Sequence, residues 1–277
     1  MYSLNTNRKV SVHHSGDIVH GIHAVEGLLD EKARRVERVY FDSSRQSRSG
    51  PLFSIRKRCR RERIPTQAVP AIRLTQLAGT AKHQGVAALC TVKDYADIEH
   101  ILAGIRQLSS PLLLVPASIE DPGNLGSIIR SAAAFGVDAI MLERKNTVPL
   151  NATVAKNAVG MLERINIAKP RNLEGILGEL KNEGHTIVGA IERANRPPSK
   201  VDLTGPTILI VGGEHRAIPP YLKKSCTHLV GIPEAAGAAS LNVSAATAAL
   251  LYECSRQRGF RYRENDENDK LSVYETN

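Results

Sequence analysis

Apolar and polar positions follow two rhythms along this chain. Ile22, Val25, Leu28 and Leu29 recur at helical spacing and predict a short helix from Gly21 to Leu29. Val36 to Phe41, Thr66 to Val69 and Val86 to Val92 are β-rich and predict strands. Between them, Leu52 to Arg63 and Ile72 to Leu77 read as helices, and the serine-rich segment Asp42 to Pro51 reads as a loop. The front third is thus a small α/β unit, residues 18–93, after a flexible tail at 1–17. Residues 94–110 form a linker that contains a helical segment from Ile98 to Leu108.

From residue 111 to 257 strands and helices alternate. Apolar runs at Leu112–Val115, Ala139–Leu142, Ile165–Ala168, Thr186–Ile191, Thr207–Val211 and Leu229–Ile232 predict strands. Helical segments separate them at Leu125–Phe135, Ala152–Val159, Leu173–Glu183 and Pro219–Lys224, and a last helix carries Ala245 to Glu253. Strands that are apolar throughout and alternate with helices predict a mostly parallel sheet covered on both faces. Residues 258–277 read as a polar tail.

Hydrophobic residues make up 42% of the 277, enough for a substantial core. No apolar run approaches the ~18 residues of a membrane span. Met1 to Asp17 lacks the apolar stretch of a secretory signal. The four cysteines show no C-x-x-C spacing and the nine histidines no H-E-x-x-H. Free thiols in a reducing cytoplasm, with no metal, are expected. Charge changes the picture more. Residues 1–93 hold 17 Lys and Arg against 7 Asp and Glu, while 94–277 hold 20 against 21, so the whole excess of +9 comes from the front third. A basic module joined to a neutral one points to an RNA-binding part and a chemistry part. Arg56, Lys57, Arg60 and Arg61 on the predicted basic helix are the candidate phosphate contacts.

Ligands of open α/β sheets gather at the carboxyl ends of strands. Three loops leave such ends here. Asp121-Pro122-Gly123-Asn124-Leu125-Gly126 leads into a helix where Asn124 and Arg130 are polar among apolar neighbours. Val211-Gly212-Gly213-Glu214 carries a glycine pair suited to close backbone approach. Ile232-Pro233-Glu234 runs through small residues to Ser240-Leu241-Asn242-Val243-Ser244, where Ser240 is placed to cap the following turn. Neither G-x-G-x-x-G nor a Walker A sequence occurs at these loops.

Asn124-Leu125-Gly126 with Arg130, Gly212-Gly213-Glu214, and Ile232-Pro233 with Ser240 to Ser244 resemble, in order and spacing, the three signature motifs of the SpoU/TrmH family of the SPOUT superfamily. The resemblance covers about residues 110–257 and implies an S-adenosylmethionine-dependent RNA ribose 2′-O-methyltransferase. The front part, closed by His83-Gln84-Gly85-Val86, resembles the ribosomal-protein-like substrate-binding domain of the branch that methylates a guanosine of 23S ribosomal RNA. The same resemblance implies a C-terminal trefoil knot and a homodimer. By position it assigns Gly212, Gly213, Ile232, Pro233 and Leu241 to the cofactor, and Asn124, Arg130, Glu214, Ser240 and Asn242 to catalysis. Arg130 is expected to orient the ribose and stabilise charge. A transfer-RNA methyltransferase of the family and a non-catalytic RNA-binding protein on this fold are the alternatives. Departures from the family pattern are Ala217, where the second motif ends in glycine, and Glu234, where the third carries methionine. In addition, the third motif's glycine sits at Gly237 rather than position 236. The Glu234 side chain is expected to turn outward to water, because an unpaired buried carboxylate is costly.

Overall fold

A computed structural model describes residues 16–32, 34–45, 48–213, 216–235 and 240–260. The front third forms β1 (Asp17–His20), α1 (Ile22–Glu31), β2 (Val36–Asp42), α2 (Pro51–Arg61), β3 (Thr66–Val69), α3 (Ala71–Ala78) and β4 (Val86–Cys90). Its sheet has the order β1-β4-β2-β3, with β4 antiparallel to both neighbours and β3 parallel to β2. The sequence pattern does not predict β1, which begins at Asp17, the last residue of the expected tail, and is held by pairing with the distant β4. Residues 1–15 of the expected tail lie outside the described residues.

The second part runs α4 (Ile98–Ile105), β5 (Leu112–Pro116), α5 (Pro122–Ala134), β6 (Ala139–Met141), α6 (Ala152–Asn157), β7 (Asn166–Ala168), α7 (Leu173–Asn182), β8 (Thr186–Ala190), β9 (Thr207–Val211), α8 (Pro220–Ser225), β10 (His228–Val230) and α9 (Val243–Gln257). All neighbours in the sheet β10-β8-β9-β5-β6-β7 are parallel. Leu112 and Leu114 pack towards α5, α6 and α9, while Leu113 and Val115 pack towards α4, α7 and α8. This is the doubly covered parallel sheet that the uninterrupted apolar runs predict. Strand β9 lies between β5 and β8, and α9 returns to pack on α5, an order consistent with the knotted crossing of the SPOUT fold.

The linker segment is built into the second part, since Ala96 donates to the Ile167 carbonyl and α4 packs on β7. Front and rear parts share one apolar cluster that runs from Val19 and Leu28 to Ile129 and Leu162. Gly27 of α1 and Gly160 touch so closely that a Cβ on Gly160 would meet the His23 carbonyl at 2.9 Å. Beside them the buried Arg34 guanidinium donates to Glu163 at 2.7 Å and to Asp17 at 3.1 Å, and Lys93 lies 3.8 Å from the second Glu163 oxygen. Burial works against the Arg34 charge, but Glu163 and Asp17 together with the surrounding groups outweigh it and hold the guanidinium above its ordinary pKa.

Candidate active site

The loop after β5 sets the first wall. Asp121 caps α5 by accepting the Asn124 N–H at 2.7 Å, and Pro122 takes the first helical position, where no amide is needed. The helix therefore begins at Pro122, three residues before the predicted start, and places Arg130 just over two turns in. The Asp121-Pro122 pair, expected in the loop before the helix, is its start.

A second wall comes from the loop after β9. A Cβ at Gly212 would meet the Ile218 amide nitrogen at 2.6 Å, and one at Gly213 would run into the Ser118 carbonyl. Both positions need glycine because three stretches of backbone meet there. Glu120 of the first loop and Arg216 of the second join at 3.2 Å across the gap, although both are exposed. Glu214 lies outside the described residues.

The third wall is the start of α9. Its cap is Asn242, whose side-chain oxygen accepts from the Ser244 amide at 2.8 Å and the Ser244 hydroxyl at 2.6 Å. This corrects the expectation that Ser240 caps the helix. Ser240 is exposed and still two residues short of the helical backbone. Glu234 is exposed, as expected, yet its carboxylate accepts from the Leu241 amide at 3.2 Å and so ties the two ends of the third loop together. The Asn242 amide also donates to Asn124 at 3.1 Å, which joins the first and third motifs at the mouths of α5 and α9.

These walls enclose two adjoining cavities. The larger, of 620 Å³, is lined by Ala190, Glu192, Val211 to Gly213, Ala217, Ile218, Ser240 to Val243, Ala246 and Leu250. Its size lies within the range of about 300–1,000 Å³ usual for ligand sites. A smaller one of 260 Å³ is lined by Ser118 to Asp121, Asn124, Gly213 and Val243. Gly213 and Val243 face both.

Of the expected cofactor residues, Gly212, Gly213 and Leu241 line the larger cavity. Ile232 instead packs half-buried on the core, and Pro233 is exposed outside the lining. Of the expected polar set, Ser240 and Asn242 face the larger cavity and Asn124 the smaller. Arg130 is exposed, lines neither, and has no polar partner among the described residues. Sequence reasoning missed Glu192, Ile218, Ser118 and Glu120, which the fold brings in from separate loops.

The larger cavity suits a cofactor that pairs an apolar body with polar ends. Ile218, Leu241, Val243 and Leu250 supply apolar surface, while Glu192 and Ser240 supply polar groups at its rim. None of the cysteines is a nucleophile of this site. Burial pushes the thiols of Cys59, Cys226 and Cys254 up to about 11 and that of Cys90 up to about 12. Among the described residues no cluster of His, Cys, Asp and Glu could hold a metal ion.

On α2, Lys57, Arg60 and Arg61 project outward. Arg56 turns inward and lies 4.6 Å above the Phe41 ring, so its role in the fold is packing.

The model of the SpoU rRNA methylase family matches residues 111–252, and that of the RNA 2′-O ribose methyltransferase substrate-binding domain matches residues 18–96. The chain is 35% identical to a 23S rRNA (guanosine-2′-O-)-methyltransferase RlmB of Ralstonia nicotianae, over 86% of this chain and 94% of that protein. It is 34% identical to the RlmB of Vibrio parahaemolyticus, over 88% and 98%. In structure it is similar to the SpoU methyltransferase AviRb of Streptomyces viridochromogenes solved with AdoMet. The TM-score is 0.72 at 24% identity, covering 88% of this chain and 91% of that one. With both halves matched in this order, and with relatives above 30% identity along nearly their full length, the chain belongs to the SpoU rRNA methylase family.

Proposed function

We propose that this protein transfers a methyl group from S-adenosylmethionine to a ribose 2′-hydroxyl of ribosomal RNA, at a guanosine of 23S RNA. The observation that carries this is the Asn242–Asn124 hydrogen bond at the join of two cavities, one of cofactor size and one opening on the first motif. Membership of the family supports the reaction, and the full-length RlmB relatives support ribosomal over transfer RNA.

S-adenosylmethionine supplies an electrophilic methyl on a sulfonium. Gly212, Gly213 and Leu241 would hold it in the larger cavity, with Ser240 beside them. Methyl transfer is an in-line displacement whose rate depends on alignment. Asn124 and Asn242 orient each other and the incoming ribose, with the side-chain amide of Asn124 carrying donors beyond their shared bond. Arg130 stabilises the negative charge that develops on the 2′-oxygen and on the adjoining phosphate. A phosphate of the RNA or water takes the hydroxyl proton.

Residues 18–93 form the RNA-binding unit and 111–257 the methyltransferase unit. The protein acts as a homodimer in the cytoplasm. Support for the dimer is the aromatic row on the outer face of α5 and α9. Tyr252, 50% exposed, meets Phe135 edge-on at 6.3 Å and Phe260 at 5.5 Å. A cytoplasmic place agrees with the free thiols, and no helix among the described residues is long and apolar enough to cross a membrane.

The test is transfer of labelled methyl to ribosomal RNA by the wild type and by a variant carrying Lys57→Glu, Arg60→Glu and Arg61→Glu. The variant is expected to bind cofactor as before but to need at least about tenfold more RNA. Its affinity should also depend less steeply on salt, by close to one unit of slope per lost phosphate contact. Equal RNA affinity in the two proteins would remove α2 from the RNA surface. Absence of cofactor binding in the wild type would leave the chain a non-catalytic RNA binder.

A further inference from the structure

Ser118 lies in the loop between β5 and α5, in the wall of the smaller cavity. Its φ is +56°, in the left-handed region that residues with a Cβ rarely adopt. Such backbone persists where its surroundings over-determine it. Those surroundings are specific here. Glu143, two residues beyond β6, is buried, and its Oε2 accepts both the Ser118 amide at 3.0 Å and the Ser118 hydroxyl at 3.2 Å. Its other oxygen accepts the hydroxyl of Tyr221, on α8, at 2.8 Å. Burial and the neighbouring Glu143 raise the Tyr221 pKa, which keeps this hydroxyl a donor. On its far side the Ser118 carbonyl faces Gly213, where a side chain would have no room. Gly213 in turn lines both cavities.

One carboxylate thus ties the end of β6, the loop that leads to Asp121, and α8, and through Ser118 it bears on the glycine pair after β9. We propose that Glu143 is the positioning residue of the methyl-transfer site, holding Ser118 left-handed so that the first-motif loop and the Gly212-Gly213 loop keep the spacing that cofactor and ribose need. It touches neither ligand and acts through Ser118. This rests on the methyltransferase reading of the two cavities.

A glycine at position 118 adopts φ of +56° without help. Glycine therefore makes Glu143 dispensable, and alanine does not. The experiment compares Glu143→Ala/Tyr221→Phe alone, with Ser118→Gly added, and with Ser118→Ala added. The Tyr221 change prevents an orphaned hydroxyl from confusing the result. Amide exchange of the loop at 117–124 is read together with cofactor Kd and methyl-transfer kcat and KM. Loss of hydrogen bonds to the carboxylate is expected to speed loop exchange and lower kcat/KM about 10- to 100-fold. Adding Ser118→Gly restores both to within about threefold of wild type, and adding Ser118→Ala restores neither. If glycine and alanine behave alike, Glu143 does not act through the Ser118 backbone and the proposal is overturned. Should the double variant fail to fold, Glu143→Gln, which keeps one acceptor oxygen, is measured with the same pair of Ser118 changes. Exchange rates report on the loop even where no methyl is transferred, so an inactive wild type would count against the proposed reaction and leave the Glu143–Ser118 link to be judged separately.

Discussion

Replacing Arg130 by alanine is expected to lower kcat for methyl transfer about 10²–10³-fold, the usual loss when one preorganised charge-stabilising donor is removed. Cofactor affinity should stay within about threefold, because Arg130 lines neither cavity. The placement argues for chemistry over structure. Arg130 is exposed on a helix whose neighbours Ile128 and Ile129 are fully buried, and no carboxylate among the described residues pairs with it. Arg130→Lys keeps the charge but loses the planar fork, and should recover only part of the rate. Single-turnover rates at saturating RNA and cofactor, beside calorimetric cofactor Kd, check this. A near-wild-type rate for Arg130→Ala would take the residue out of the mechanism.

The second large effect is on stability. Arg34 and Glu163 are 2% and 3% exposed at their side chains and join the front and rear parts of the chain. Removing one partner leaves the other charge in a dry interface with only its second contact, Asp17 for Arg34 or Lys93 for Glu163. Arg34→Met or Glu163→Leu is therefore expected to cost about 3–5 kcal/mol of unfolding free energy. The double change Arg34→Met/Glu163→Leu removes both charges and keeps apolar bulk, and should cost much less than the sum. Denaturant unfolding of the four proteins measures this, and strict additivity of the two single losses would show that the groups are not coupled. Because the pair sits between the parts, the single variants should also lose RNA-dependent activity before they unfold.

Much of this architecture is legible in particular stretches. Leu112–Val115 and Thr207–Val211 are apolar at every or nearly every position because their strands are buried on both faces, and they lie side by side at the centre of the sheet. The order of the strands is not legible, because neighbours such as β5 and β9 are distant in sequence. Glycine pairing at Gly212-Gly213 points correctly to close backbone approach, but nothing local says that the approaching group is the Ser118 carbonyl. At the third motif, Ser240 and Asn242 are both good capping residues. The structure decides for Asn242, whose side-chain oxygen accepts the Ser244 amide at the first turn of α9. Glu143 follows an apolar strand and looks like any loop carboxylate. Its partners Ser118 and Tyr221 lie 25 and 78 residues away, so its role exists only in the folded chain.

The atom that receives the methyl group defines the reaction. The direct measurement incubates the protein with labelled S-adenosylmethionine and 23S ribosomal RNA from cells that lack this chain. The RNA is then digested to nucleosides and the labelled product identified by mass. A 2′-O-methylguanosine, formed by the wild type and lost in Arg130→Ala, is the predicted result. Label on a base, or no transfer from a protein that binds cofactor and RNA, would contradict it.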